Sequence, residues 1–174
     1  MHRIILIGLR ATGKSSVGRE LVRLCGGTFL DLDDAVSQAA GASSAHEAFV
    51  SLGEPAFRTL EARALADALR SPSISVIALG GGTPMAPGAE ATLRTARADG
   101  WRIVLLNATD EVLAERIRRS PGTRPSLTGA LPDQEVAQIR TRRWSTYESL
   151  AETVVDTGAR NPSEIAQGIV SAIG

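Results

Sequence analysis

Apolar and polar positions alternate between two regimes along this chain. Short apolar runs at residues 4–7, 74–79 and 102–106 read as buried parallel strands, since both faces of each are apolar. Residues 28–30 and 153–155 are two further short strands. Between them, apolar residues recur at helical spacing. Residues 14–24 predict a helix with Val17, Leu21, Val22 and Leu24 facing inward, stopped by Gly26-Gly27. Further helices are expected at about 34–40, 45–51, 54–69, 87–98, 110–119 and 133–150, with Asp110 opening the sixth. Asn161-Pro162-Ser163-Glu164 opens the last helix with good capping chemistry. Residues 120–132 hold three prolines, two glycines and no apolar period, so they read as a loop or flap. Strands that alternate with helices imply an α/β fold, a parallel sheet covered on both faces.

Length adds one domain, since 174 residues with 43% apolar content suffice for a single sizeable core. The formal charge is zero, from 19 basic and 19 acidic residues, which argues against a general nucleic-acid binder. No apolar run approaches the roughly 20 residues that span a bilayer, and the first residues lack a signal-peptide pattern. A soluble cytoplasmic protein is therefore expected, with no membrane or nucleic-acid partner, and as a monomer. The one cysteine, Cys25, excludes an internal disulfide framework. Cys25, His2 and His46 show no metal-ligand spacing.

Of the 19 basic residues only Lys14 is lysine, and it lies in the most informative stretch of the chain. Gly8-Leu9-Arg10-Ala11-Thr12-Gly13-Lys14-Ser15 matches G-x-x-x-x-G-K-[ST], with an apolar strand before it and an amphipathic helix after it. A wrapped loop of this kind turns backbone N–H groups inward, and the following helix aims its positive end at the same point. That cradle suits the polyphosphate of ATP. Lys14 supplies a cation for the β- and γ-phosphates, and Ser15 a hydroxyl for Mg²⁺. Gly8, Ala11, Thr12, Gly13, Lys14, Ser15 and Ser16 are the expected nucleotide contacts.

A phosphate cradle does not name the acceptor. Asp31 and Asp33 follow the second strand, at the sheet edge that also carries the cradle. One carboxylate could serve Mg²⁺ and the other accept the proton of an attacking hydroxyl; capping of the next helix by Asp33 or Asp34 is the plainer alternative. Arg58 and Glu61 share a helix face, and spacing alone favours a surface ion pair. Gly80-Gly81-Gly82 directly after a strand offers close backbone approach to a ligand, or a tight βα turn. Arg140, Arg142 and Arg143 read mostly as a solvated helix face. Arg124, in the flap, is placed to close over a phosphate.

Together these landmarks resemble the shikimate kinase family over almost the whole chain. The resemblance rests on Gly8 to Ser15, Phe29-Leu30-Asp31-Leu32-Asp33, Phe57-Arg58-Thr59-Leu60-Glu61, Leu79-Gly80-Gly81-Gly82, Arg124-Pro125-Ser126-Leu127, and Arg143 four before Tyr147, in that order. It implies a three-layer P-loop kinase with five parallel strands in the order 2-3-1-4-5. It also implies a substrate-binding insert near 33–62 and a lid near 120–132. By resemblance, Asp33 binds the acceptor hydroxyl and is the base. Arg58 and Arg143 hold the shikimate carboxylate, Gly80, Gly81 and Gly82 contact shikimate, and Glu61 orients groups nearby. Asp31 and Ser15 serve Mg²⁺. Lys14 and Arg124 assist transfer. Arg118 or Arg119 packs on adenine, the lid spacing leaving both open, and Asn161-Pro162 forms a second adenine-side contact.

The implied activity is transfer of the ATP γ-phosphate to the 3-hydroxyl of shikimate. Another hydroxy-acid kinase, for example one acting on gluconate, and a nucleotide-binding regulator without turnover are the competing readings. Several positions depart from the family pattern. Ala11 stands where glycine is usual, Ser126 replaces a leucine, Trp144-Ser145-Thr146 precedes Tyr147, and Thr83-Pro84-Met85 follows the three glycines.

Overall fold

The computed structural model describes residues 2–119 and 131–173. Five parallel strands form one sheet in the order β2-β3-β1-β4-β5, as the resemblance implied. They are β1 (Arg3–Ile7), β2 (Thr28–Asp31), β3 (Ile74–Ala78), β4 (Trp101–Asn107) and β5 (Thr153–Asp156). The eight helices of the described residues are α1 (Lys14–Cys25), α2 (Leu32–Ala39), α3 (Ala45–Leu52), α4 (Glu54–Arg70), α5 (Ala89–Ala98), α6 (Asp110–Arg118), α7 (Pro132–Leu150) and α8 (Pro162–Ile173). A 3₁₀ turn at Thr83–Met85 follows β3.

Strand alternation sorts the core into two layers. On β1, Ile4 and Leu6 join Val17, Leu21, Ile165 and Ile169 beneath α1 and α8. Ile5 and Ile7 join Leu65, Leu93, Leu113 and Tyr147 on the other face, beneath α4 to α7. With β1 central and paired to both β3 and β4, its C-terminal end and the loop after it stand in the middle of one sheet edge. The start of α2 and the glycine turn after β3 lie at the same edge, since they follow the C-terminal ends of β2 and β3.

Local differences from the sequence reading have identifiable causes. The buried stripe of α1 is Val17, Gly18 and Leu21, whereas Leu24 in the last turn is exposed. Gly18 admits the ring of Phe29: a Cβ there would stand 2.2 Å from that ring. Helix α6 starts at Asp110, as expected; Thr109 before it is the cap, its hydroxyl accepting the Val112 N–H, while the Asp110 carboxylate turns to Arg140. Helix α2 begins at Leu32 and is capped by the Asp31 side chain, so neither Asp33 nor Asp34 is the cap. Helix α8 opens with the expected reciprocal box, Asn161 and Glu164 each accepting the other's N–H at 3.0 Å. No described helix is long and apolar enough to cross a membrane.

Candidate active site

The β1–α1 loop wraps as a phosphate cradle must. Gly8 takes φ 141°, and a Cβ on it would lie 2.3 Å from the carbonyl oxygen of Leu106 on β4, so only glycine fits. Gly13 precedes α1 at φ 92°. Thr12, fully buried, donates to the Leu9 carbonyl at 2.8 Å and closes the loop from inside. The Lys14 ammonium donates to the carbonyls of Gly8 (3.0 Å) and Leu9 (2.8 Å), bridging the loop across the mouth of the cleft. Ser15 donates to Asp31 Oδ2 at 2.5 Å. A hydroxyl beside a carboxylate is a hard-oxygen donor pair that suits Mg²⁺, which usually completes its shell with phosphate oxygens and water. No group of three or more His, Cys, Asp or Glu that could hold a metal ion exists among the described residues.

From this cradle a cleft of about 1340 Å³ runs toward α2, α4 and the loop after β3. Lys14, Asp33, Arg58, Glu61, Arg143 and the three glycines all line it. Asp33, in the first turn of α2, opens onto the cleft. Its carboxylate is exposed to the open cleft, but protein atoms crowd its other sides; that partial desolvation, and then the neighbouring Asp31 carboxylate, push its carboxyl up to about 6, against the pull of Lys14. Space for that carboxylate comes from Gly80, where a Cβ would stand 2.4 Å from Asp33 Oδ1.

Two arginines from opposite helices meet on the neighbouring glycines. Arg58 of α4 lies against Gly82, where a Cβ would be 2.7 Å from its Nη1. Arg143 of α7 donates from Nη1 to the Gly81 carbonyl at 2.8 Å. Each is held from behind. Arg58 Nη1 donates at 2.6 Å to Glu61, whose side chain is only 3% exposed, and the buried Thr83 hydroxyl donates to the other oxygen of Glu61 at 2.7 Å. The phenol of Tyr147, also fully buried, donates to the same Gly81 carbonyl at 2.5 Å. Burial raises the Tyr147 pKa, with Arg143 opposing, so the phenol stays a neutral donor. The Arg58–Glu61 contact is thus no surface pair; it forms one wall of the cleft.

Other sequence-derived candidates fall elsewhere. Arg124 and most of the expected lid lie outside the described residues. Arg118 and Arg119 are exposed at the end of α6, where Arg118 pairs with Glu115 and Asp133, and Arg119 with Glu115. Pro162 begins α8 and is exposed, and the Asn161 side chain is engaged in the capping box. Ser16 is exposed on the first turn of α1 and lines the cleft mouth.

The sequence reading missed four groups. Arg140, taken as solvated, donates to Asp110 (2.5 Å), Asn107 (2.7 Å) and the Ala108 carbonyl (2.6 Å), and its guanidinium stacks over Trp144 at 5.3 Å. It ties α7, and with it Arg143, to the end of β4. Arg116 of α6 reaches the Ala11 carbonyl (3.2 Å) and the Thr157 carbonyl (2.6 Å). Arg10 pairs with Glu135 at 3.0 Å. Thr83 supports Glu61. Tyr147, by contrast, carried a signal, its spacing of four from Arg143 on one helix face.

Comparison with known proteins agrees with this architecture. The family model described as shikimate kinase matches residues 10–174. A shikimate kinase of Caulobacter vibrioides is 36% identical over 170 residues, covering 98% of this chain and 81% of its own. One from Mycobacterium ulcerans is 34% identical over 173 residues, with 98% and 89% covered. The structure of shikimate kinase from Acinetobacter baumannii in complex with shikimate superposes with a TM-score of 0.88 at 28% identity, over 99% of this chain and 93% of that one. On that family match and those identities over nearly its whole length, the chain belongs to the shikimate kinase family.

Proposed function

We propose that this chain transfers the γ-phosphoryl group of ATP to the 3-hydroxyl of shikimate, and that the residues lining the cleft divide the work as follows. The loop from Gly8 to Ser15 cradles the phosphates through backbone N–H groups, and Lys14 leaves its loop carbonyls to follow the β- and γ-phosphates. Mg²⁺ held near Ser15 and Asp31 supplies neutralising charge to the phosphate oxygens. Asp33 accepts the proton of the attacking hydroxyl. A carboxyl whose pKa is about 6 is ionised at neutral pH yet basic enough to take that proton. Arg58 and Arg143 grip the acceptor carboxylate, each guanidinium offering a fork of donors. The insert at 33–62 and Gly80, Gly81 and Gly82 form the floor of the acceptor site. Catalysis is then mostly positioning and charge neutralisation.

The observation that carries this reading is the meeting of Arg58 and Arg143 on adjacent glycines, on the same cleft wall as Asp33. Two cations there select an anionic acceptor and disfavour a neutral sugar. The test is acceptor-dependent ADP release with ATP and Mg²⁺. Shikimate should give turnover and shikimate 3-phosphate, with gluconate and other hydroxy acids far behind. Turnover no faster with shikimate than without acceptor overturns the proposal, and a stronger response to another hydroxy acid reassigns the acceptor.

A further inference from the structure

Ala11 is the only non-glycine residue with positive φ (65°) among the described residues, and it sits inside the phosphate cradle. Left-handed backbone is unfavourable for any residue with a Cβ, and it persists only where the surroundings over-determine it. Those surroundings are visible on both sides of Ala11. On one side, Arg10 reaches out of the loop to Glu135 on α7 at 3.0 Å, with the two side chains 17% and 2% exposed. On the other, Arg116 of α6 donates to the Ala11 carbonyl at 3.2 Å. That same guanidinium is anchored on Thr157 after β5, through the hydroxyl (3.2 Å) and the carbonyl (2.6 Å). The loop is therefore held from α7, from α6 and from the end of β5, well outside the cradle motif itself.

We infer that Arg10 and Glu135, backed by Arg116, are positioning residues that hold the strained loop in its phosphate-binding form, replacing a conformational freedom that glycine would otherwise supply at position 11. This rests on the nucleotide-binding reading above. The cradle works only when its N–H groups are aimed before phosphate arrives. Once the clamp is released, Ala11 relaxes toward ordinary φ and carries the neighbouring N–H groups with it. Glycine at that position would tolerate the left-handed form without the clamp.

The test uses Glu135→Gln and the double variant Arg10→Met/Glu135→Met, each with and without Ala11→Gly. The double variant removes both charges of the pair together, so neither of these two is left facing a lost partner if the single variant folds poorly. Binding of ADP by calorimetry and the KM values for ATP and shikimate are measured on the full chain. Loss of the clamp should weaken ADP binding and raise the ATP KM about tenfold, equivalent to one decade of affinity, while the shikimate KM stays within about twofold. Adding Ala11→Gly should recover most of the lost affinity. Equal losses for both substrates, unchanged ADP binding, or no recovery with glycine overturns the clamp. A parent chain that binds no ADP overturns the nucleotide reading and the clamp together, whereas a parent that binds while the variants match it overturns the clamp alone.

Discussion

The two ends of the cleft are built by different means. The proposed nucleotide end comes from one stretch of eight residues, Gly8 to Ser15, and would act mainly through backbone N–H groups. The proposed acceptor end comes from three separate helices, α2, α4 and α7, and would act through the side chains of Asp33, Arg58, Glu61 and Arg143. A backbone cradle recognises phosphate on any nucleotide and so can be local. A site for one small ring acid needs charges at fixed separations, which requires rigid supports from different parts of the fold. The contacts behind these side chains are such supports: Thr83 donates to Glu61, Tyr147 shares the Gly81 carbonyl with Arg143, and Arg140 braces α7 against Asn107.

Substitutions that strike one end and spare the other test this division. The largest effect is expected from Gly8→Ala, whose methyl would meet the Leu106 carbonyl oxygen at 2.3 Å, a strand backbone atom that cannot swing aside. Nucleotide binding should be lost and the melting temperature lowered, as calorimetry and thermal melts would record. Next, Asp33→Asn should cut kcat by about 10²- to 10⁴-fold with little change in ATP KM. In the parent chain, kcat/KM for shikimate should fall as pH drops through about 6, because the base is then protonated. The sign for stability is opposite. The folded chain holds the Asp33 proton more tightly than the unfolded one, so stability is lost as pH rises from 3.8 toward about 6. Asp33→Asn escapes that loss, so its melting temperature at neutral pH should equal or exceed the parent's.

Arg143→Lys keeps the charge and loses the fork. The shikimate KM should rise about 10- to 100-fold, with ATP KM nearly constant. An equal rise in both would break the division between the ends. The smallest effect is expected of Tyr147→Phe, which removes one donor from the Gly81 carbonyl and leaves Arg143 as the other. Its cost should be about 1 kcal/mol of stability and a few-fold rise in shikimate KM, readable by denaturant melts and steady-state rates.

Strand positions were legible because a strand buried on both faces must be apolar throughout, as at Ile4 to Ile7. The cradle was legible because its geometry needs glycine and lysine at set spacings. The acceptor side was only half legible. Arg58 and Glu61 looked like a surface pair, since spacing of three shows a shared face but not what covers it. Arg140 looked solvated for the same reason: its partners Asp110 and Asn107 lie 30 and 33 residues away. Arg10 and Glu135 are 125 residues apart, and no local pattern joins them.

By itself, then, the sequence determined the alternation of strands and helices, the phosphate loop and the chemical types available along the sheet edge. These follow from periodicity and steric limits that act within a few residues. Tertiary structure alone decided that Glu61 and Thr83 are buried behind Arg58, that Tyr147 and Arg143 share one carbonyl, and that Ala11 is held by residues on α6 and α7. Burial and long-range hydrogen bonding depend on which surfaces the fold brings together, and that is a property of the whole chain.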